Sequence, residues 1–294
     1  MVKREPEAGR ERVSIAGAGR IGGGTYHSVK VAGSGTIEGD VKAQTISTAG
    51  SCVIKGSVEA EELKTAGSCR VEGDVRAEEF RTTGSATVEG EVQADVFKSS
   101  GSQRIGGKLT ASYVKTSGSL EVSSDVEADK FVSEGSFEIG GLLTADEISI
   151  RLGGDCEARE IGGERIEVRQ KSGVRRLRPE DLEEKLERKT KGKRWKFEEL
   201  GIEIDIDLER LTRELGKLGA ALGNLGLNIT GFGGYGTLEA ETIEGDEIYL
   251  ESTRAKTVRG KRVTIGPDCE IETVEYEELL EVDESSQVAK REKI

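Results

Sequence analysis

"GSCVIKGSVEAEELKTA" (residues 50–66) is followed at once by "GSCRVEGDVRAEEFRTT" (residues 67–83), the same seventeen positions written twice. The Gly-Ser pair that opens each copy recurs at Gly33, Gly50, Gly67, Gly84, Gly101, Gly118 and Gly135, always seventeen residues apart. Four residues after each glycine stands Ile37, Ile54, Val71, Val88, Ile105, Val122 or Ile139, and four further on Val41, Val58, Val75, Val92, Leu109, Val126 or Leu143. An alanine column then runs without exception from Ala43 to Ala145, followed by Ile46, Leu63, Phe80, Phe97, Val114, Phe131 and Ile148, and two places later by Thr48, Thr65, Thr82, Ser99, Thr116 and Ser133. A repeat this regular is read before any other feature, because it dictates the architecture.

Each unit holds three short stretches of period-two alternation, which is strand spacing, separated by glycine or small polar residues. Strands with so few inward residues cannot make a sheet inside one unit. Stacked units pair every strand with its copy above and below at about 4.8 Å. The expected fold is therefore all-β, a three-sided parallel β-helix of 17-residue coils. The second glycine column, Gly39, Gly56, Gly73, Gly90, Gly107 and Gly141, is expected to mark a corner of positive φ. Inward serines and threonines are expected to bond copy to copy as hydroxyl ladders.

Composition agrees with a solenoid. Of 294 residues 34% are hydrophobic but only 4% aromatic, with 40 glycines, too few large rings for a thick globular core. The net charge of −13 disfavours nucleic acid and anionic membranes as wholesale partners. No apolar run approaches the ~20 residues of a membrane span, and "MVKREPEAGRER" lacks the apolar region of a signal peptide. A cytoplasmic protein is the expectation. The four cysteines show no CxxC spacing; Cys52 and Cys69 share one column of adjacent units and are expected to be small, partly buried thiols.

The period breaks after Ile148, though "AREIGGERIEVRQ" still alternates to Gln170. Residues 171–228 read as a charged insert with helices: Pro179 at a helix start, then Leu208, Leu211, Leu215, Leu218, Leu222 and Leu225 as one apolar stripe, packed on itself or on the solenoid flank, or forming a coiled-coil seam. Solenoid texture returns over 229–276, where "AETI" and "AKTV" reuse the Ala-x-x-apolar signature; these coils either extend the stack or build a small one beside it. Residues 1–13 and 277–294 read as disordered tails, the second acidic.

The columns of Ile/Val, Gly, Val-x-Ala and apolar-Lys-Thr resemble the bactofilins, the polymer-forming cytoskeletal proteins. The resemblance covers residues 14–170, and "GDEIYLESTRAKTVRGKRVTIGPDCEIETVEY" looks like a C-terminal piece of longer members. It implies a right-handed β-helix that assembles end to end into filaments without nucleotide, metal or other cofactor. Two departures are the insert and the lack of an apolar N-terminal membrane-targeting stretch. Physical reasoning points the same way, since both ends of an uncapped β-helix expose unpaired strand groups, and residues 1–13 offer no cap.

The expected contact surfaces are the first coil (Val13, Ile15, Ile21, Val29, Val31) and the last (Val263, Ile265, Ile271, Val274, Tyr276). The partner is then the chain itself, and the role a scaffold that localises other proteins. The competing reading is a monomeric or dimeric solenoid binding module with one end capped by the insert. An enzyme is disfavoured: His27 is the only histidine and has no nearby acid in sequence, while "GAGRIGGG" and "GFGG" lack the context of phosphate loops. Lys64, Arg81, Lys98 and Lys115 form a basic column that Glu61, Glu78 and Asp95 are expected to offset. A sharper patch is Lys189, Lys191, Lys193, Arg194, Trp195, Lys196 and Phe197, basic residues beside two rings, which suits an anionic membrane surface or another protein.

Overall fold

The computed structural model describes residues 2–7, 10–171 and 236–294, which lie in one compact unit. Its strands are β1 (Val2–Glu7), β2 (Arg10–Ile54), β3 (Val58–Val71), β4 (Val75–Val88), β5 (Val92–Ile105), β6 (Leu109–Val122), β7 (Val126–Ser133), β8 (Ser136–Leu152), β9 (Cys156–Gln170), β10 (Leu238–Leu250), β11 (Thr253–Ile265), β12 (Glu270–Val282) and β13 (Gln287–Lys293). They form one sheet in sequence order, every pairing parallel except that of β1 with β2. This is the expected β-solenoid. The expected helical insert lies outside the described residues.

In the 17-residue coils six side chains per turn are buried, two on each of three faces. In the coil of β3 they are Val58 and Ala60, Leu63 and Thr65, Cys69 and Val71. The last pair contains an inward column that the repeat conceals: Gly35, Cys52, Cys69, Ala86, Gln103, Leu120 and Phe137 stack in register. Cys52 and Cys69 are therefore fully buried, 2% and 6% exposed, rather than partly so. At Gly35 the space is taken from across the corner, where a Cβ on the glycine would stand 2.6 Å from Val31 Cγ1. Phe80 meets Phe97 edge-on at 5.4 Å and Phe131 meets Phe137 at 5.7 Å, both favoured ring geometries.

The inward hydroxyls do not form ladders. Thr48, Thr65, Thr82, Ser99, Thr116 and Ser133 are buried with hydroxyls lacking a hydrogen-bond partner. Identical rotamers on strands about 4.8 Å apart place their oxygens beyond hydrogen-bond reach. The glycine columns also exchange roles. Positive φ belongs to the Gly-Ser column, Gly50 at 118° and Gly67 at 114°, whereas of the second column only Gly39 has it. The second column is glycine for lack of room: a Cβ on Gly56 would stand 2.4 Å from the backbone nitrogen of Asp40. Beside it the next residue's side chain caps the following coil, as Asp40 Oδ1 accepts from Ser57 N at 2.8 Å and Asp74 Oδ1 from Glu91 N at 2.9 Å.

After β8 the coil shortens. Val41 pairs with Val58, seventeen residues on, but Leu238 pairs with Thr253, fifteen on. Two of the three corners each lose a residue, and the turn glycines of the longer corners go with them. The Ala-x-x-apolar signature survives with a different phase. Ala158 stacks under Ile139, and Ala240 and Ala255 under Ala158, one face before the column of Ala43 to Ala145. Here the alanines precede the shortened corner, where a larger side chain would crowd the tighter turn. Strand β10 pairs directly with β9, so the returning coils extend the same stack.

Candidate functional site

A stack of coils satisfies its backbone groups everywhere except at its two ends, so the ends are where it can recruit another strand. At the N-terminal end, Gly17, Gly33 and Gly50 lie over one another, a Cβ on each meeting the preceding carbonyl oxygen at 2.7 Å or less from Gly33 onward. Ile15, two residues before Gly17, therefore heads the column of Val31, Thr48 and Thr65, and Val13 heads that of Val29, Ile46 and Leu63. The expected disordered tail of residues 1–13 is not what is found. β1 turns back on residues 10–15 in antiparallel register, Val2 opposite Ile15 and Glu7 opposite Arg10. A Cβ on Gly19 would stand 2.9 Å from Val2 Cγ2, so the missing side chain leaves the valine its place.

At the C-terminal end the second expected tail is also ordered. Residues 277–282 complete β12, and β13 pairs with β12 from Glu270 to Tyr276. Charge explains why a polar sequence stays on the stack. β11 carries Arg254, Lys256, Arg259, Lys261 and Arg262 between the acidic rows of β10 and β12. Lys256 meets Glu241 at 2.6 Å, Arg259 meets Glu275 at 2.6 Å, Lys261 meets Asp246 at 2.9 Å and Arg262 meets Glu278 at 2.8 Å. The Lys256 ammonium holds the Glu241 carboxyl below the usual carboxylate range. Beyond these ladders the apolar pattern thins: Leu279 is 43% exposed, and Leu280 and Val282 are half-buried against the core.

The structure separates the sequence-derived contact residues from the surfaces themselves. Val13, Ile15, Ile21, Val29, Val31, Val263, Ile265, Ile271 and Val274 are 4% exposed or less, and Tyr276 is half-buried. They build the terminal coils, while β1, Leu279, Leu280 and Val282 lie outermost; the two latter groups were hidden in segments too charged to read as strands. His27 is half-buried with Arg12 Nη2 at 3.4 Å from its Nε2. Lys64, Arg81, Lys98 and Lys115 do form one column. Its offsets differ from expectation: Lys64 pairs with Glu62 and Arg81 with Glu79, each at 2.5 Å, and Lys98 sits 5.7 Å from the Tyr113 ring. Side chains two apart share an outer edge, whereas Glu61 and Glu78 stand one position further round the corner.

Cys156 and Cys269 are not poised as nucleophiles. Burial pushes the Cys156 thiol up to about 12 and the Cys269 thiol up to about 11, so both are protonated at neutral pH. An open groove of about 1090 Å³ crosses the face of the alanine floor, Ala158, Ala240 and Ala255, between two charged rows. The charges pair along each row, Arg254 reaching both Glu239 at 3.0 Å and Glu270 at 3.3 Å, and Lys256 reaching Glu241. Among the described residues no helix is long and apolar enough to cross a membrane. The patch from Lys189 to Phe197 lies outside the described residues.

Residues 8–93, which include the Gly-Ser positions from Gly33 to Gly84 and the first full coils, match the family model for bactofilin, described as polymer-forming cytoskeletal. Over these residues the chain is similar to the bactofilin family. The remaining described coils continue the same stack, strand by strand in sequence order. Two proteins of Bacillus subtilis (strain 168) are similar over part of it. Uncharacterized protein YhbF is 52% identical over 59 residues, 20% of this chain and 25% of that protein. Uncharacterized protein YhbE is 61% identical over 51 residues, 17% of this chain and 22% of that protein. The match thus spans about a quarter of these curated relatives. No solved structure matches the chain.

Proposed function

We propose that this chain is a self-assembling cytoplasmic scaffold that polymerises end to end without nucleotide and localises partners along its length. The observation that carries this reading is the continuity of the interior columns up to both ends, where strand edges and half-buried apolar residues face outward, in a chain with a polymer-forming family segment. Purified protein at low salt and without nucleotide should sediment and show filaments by negative stain. Single particles at every concentration would refute it.

A second reading is favoured by one feature. β1 occupies the N-terminal edge, as a cap would, and suits a monomeric or dimeric binding module. Sedimentation separates the two. The residues from Lys189 to Phe197 are proposed, from their composition alone, to dock the scaffold on an anionic membrane or an acidic partner.

A further inference from the structure

All four cysteines stand on one interior column. It passes from Cys52 to Cys69, reaches Cys156 one coil after Phe137, and comes through Leu238 and Thr253 to Cys269. Only Cys52 and Cys69 are consecutive, paired in register across β2 and β3. Parallel pairing sets their Cα atoms about 4.8 Å apart, inside the roughly 4.4–6.8 Å window that a disulfide spans. Cys156 and Cys269 have neighbours without sulfur on the column, and their thiols donate to carbonyls instead: Cys156 Sγ to Gly135 O at 3.6 Å and Cys269 Sγ to Leu250 O at 3.4 Å.

The two thiols of the pair are not equivalent. The Cys69 thiol donates to Cys52 and holds the Cys52 thiol below its ordinary range, while the same contact, together with burial, raises Cys69. Cys52 is thus the sulfur that ionises first and attacks, and Cys69 keeps its proton for a second step. Such a pair can hold a soft metal or close into a bond. Among the described residues no group of three metal-ligating side chains occurs, and two thiolates would carry charge into an apolar interior. A disulfide is neutral and needs no further ligand.

We propose that Cys52 and Cys69 are an oxidation site, where hydrogen peroxide converts the stacked dithiol into a disulfide that staples β2 to β3 from inside. Burial to 2% and 6% exposure keeps bulky oxidants from the folded coils, which is why a peroxide is the class named. The Cys52 thiolate attacks one peroxide oxygen, the O–O bond breaks, and the sulfur becomes a sulfenic acid as hydroxide leaves and takes up the proton that Cys52 shed. The Cys69 sulfur then attacks the Cys52 sulfur, the S–O bond breaks, and the oxygen leaves as water with the Cys69 proton. Two thiols and one peroxide give one disulfide and two waters; the sulfurs are oxidised and the peroxide oxygens reduced. In reducing surroundings the pair stays open, so the staple responds to an oxidising shift. It closes a loop of one coil, and restricting the unfolded chain in this way lowers the unfolding equilibrium constant on the order of 100-fold. The staple lies inside one copy and is independent of the assembly reading.

Peptide mapping tests the site. The full chain, reduced, is treated with hydrogen peroxide under native conditions, unfolded with an alkylating agent to block the remaining thiols, digested and mapped by mass. The expected product is a Cys52–Cys69 linkage, two hydrogens lighter than the dithiol, with Cys156 and Cys269 recovered alkylated and a urea midpoint above that of the reduced chain. Two variants test the order of the steps. Ala86 holds the same column position one coil on, so alanine fits at either cysteine. In Cys69→Ala, Cys52 lacks a resolving thiol and should advance to sulfinic acid; in Cys52→Ala, Cys69 should be recovered as a thiol. A bridge between any other pair, equal oxidation of all four cysteines, or recovery of both Cys52 and Cys69 as thiols overturns the site. Oxidation of Cys69 in Cys52→Ala as fast as that of Cys52 in Cys69→Ala overturns the assignment of the attacking sulfur.

Discussion

At the scale of single residues, the interior is governed by volume and by backbone access rather than by residue type. Gly84 has φ 117°, and a Cβ there would lie 2.4 Å from the Gly67 oxygen. Gly84→Ala should therefore cost at least about 1–3 kcal/mol from the backbone conformation alone, read as a lowered urea midpoint. Thr82→Val should act oppositely. It replaces a hydroxyl without a partner by a methyl group of similar volume, and stability should rise by about 1 kcal/mol; a fall of that size would show that the hydroxyl is satisfied. Five of the six inward columns were legible because each holds one residue class. The sixth was not, because Gly35, Cys69, Gln103 and Phe137 share only their position. Both glycine columns were legible too, but glycine serves a positive φ in one and close approach in the other, and sequence alone does not tell these apart.

At the scale of elements, the shortened coils are registered by charge. β11 is a basic row between two acidic ones, and Arg259 reaches both Glu275 and Glu244. Arg259→Glu should lower stability only slightly, since exposed pairs are individually weak, and the loss should shrink as salt is raised. A loss independent of salt would place the effect in packing instead. Alkaline stability follows from burial. Cys156 and Tyr249 are pushed up to about 12 and Cys269 up to about 11, burial being the first cause in each. The unfolded chain sheds these protons at lower pH than the folded one, so the folded state binds more protons there and loses stability as pH rises from about 9 toward 12. Urea midpoints measured across that range should fall, and Cys269→Ala should flatten part of the decline. The terminal strands β1 and β13 escaped the sequence reading for the same reason that they exist. Their charge resembles that of a disordered tail, yet their backbone joins the sheet.

At the scale of the molecule, a single set of interior columns runs through 17-residue and 15-residue coils alike, entering β10 directly from β9. The sequence showed that solenoid coils return after the insert but left open whether they extend the stack, because the Ala-x-x-apolar signature kept its letters while changing its face. The same columns reach both ends, and the proposed end-to-end addition uses this continuity. Fibre diffraction from aligned filaments tests that account most directly. If copies add along the stack, the strand-spacing reflection at about 4.8 Å will lie along the filament axis. Filaments whose reflection at that spacing lies perpendicular to the axis would mean that copies join through their faces, contradicting it.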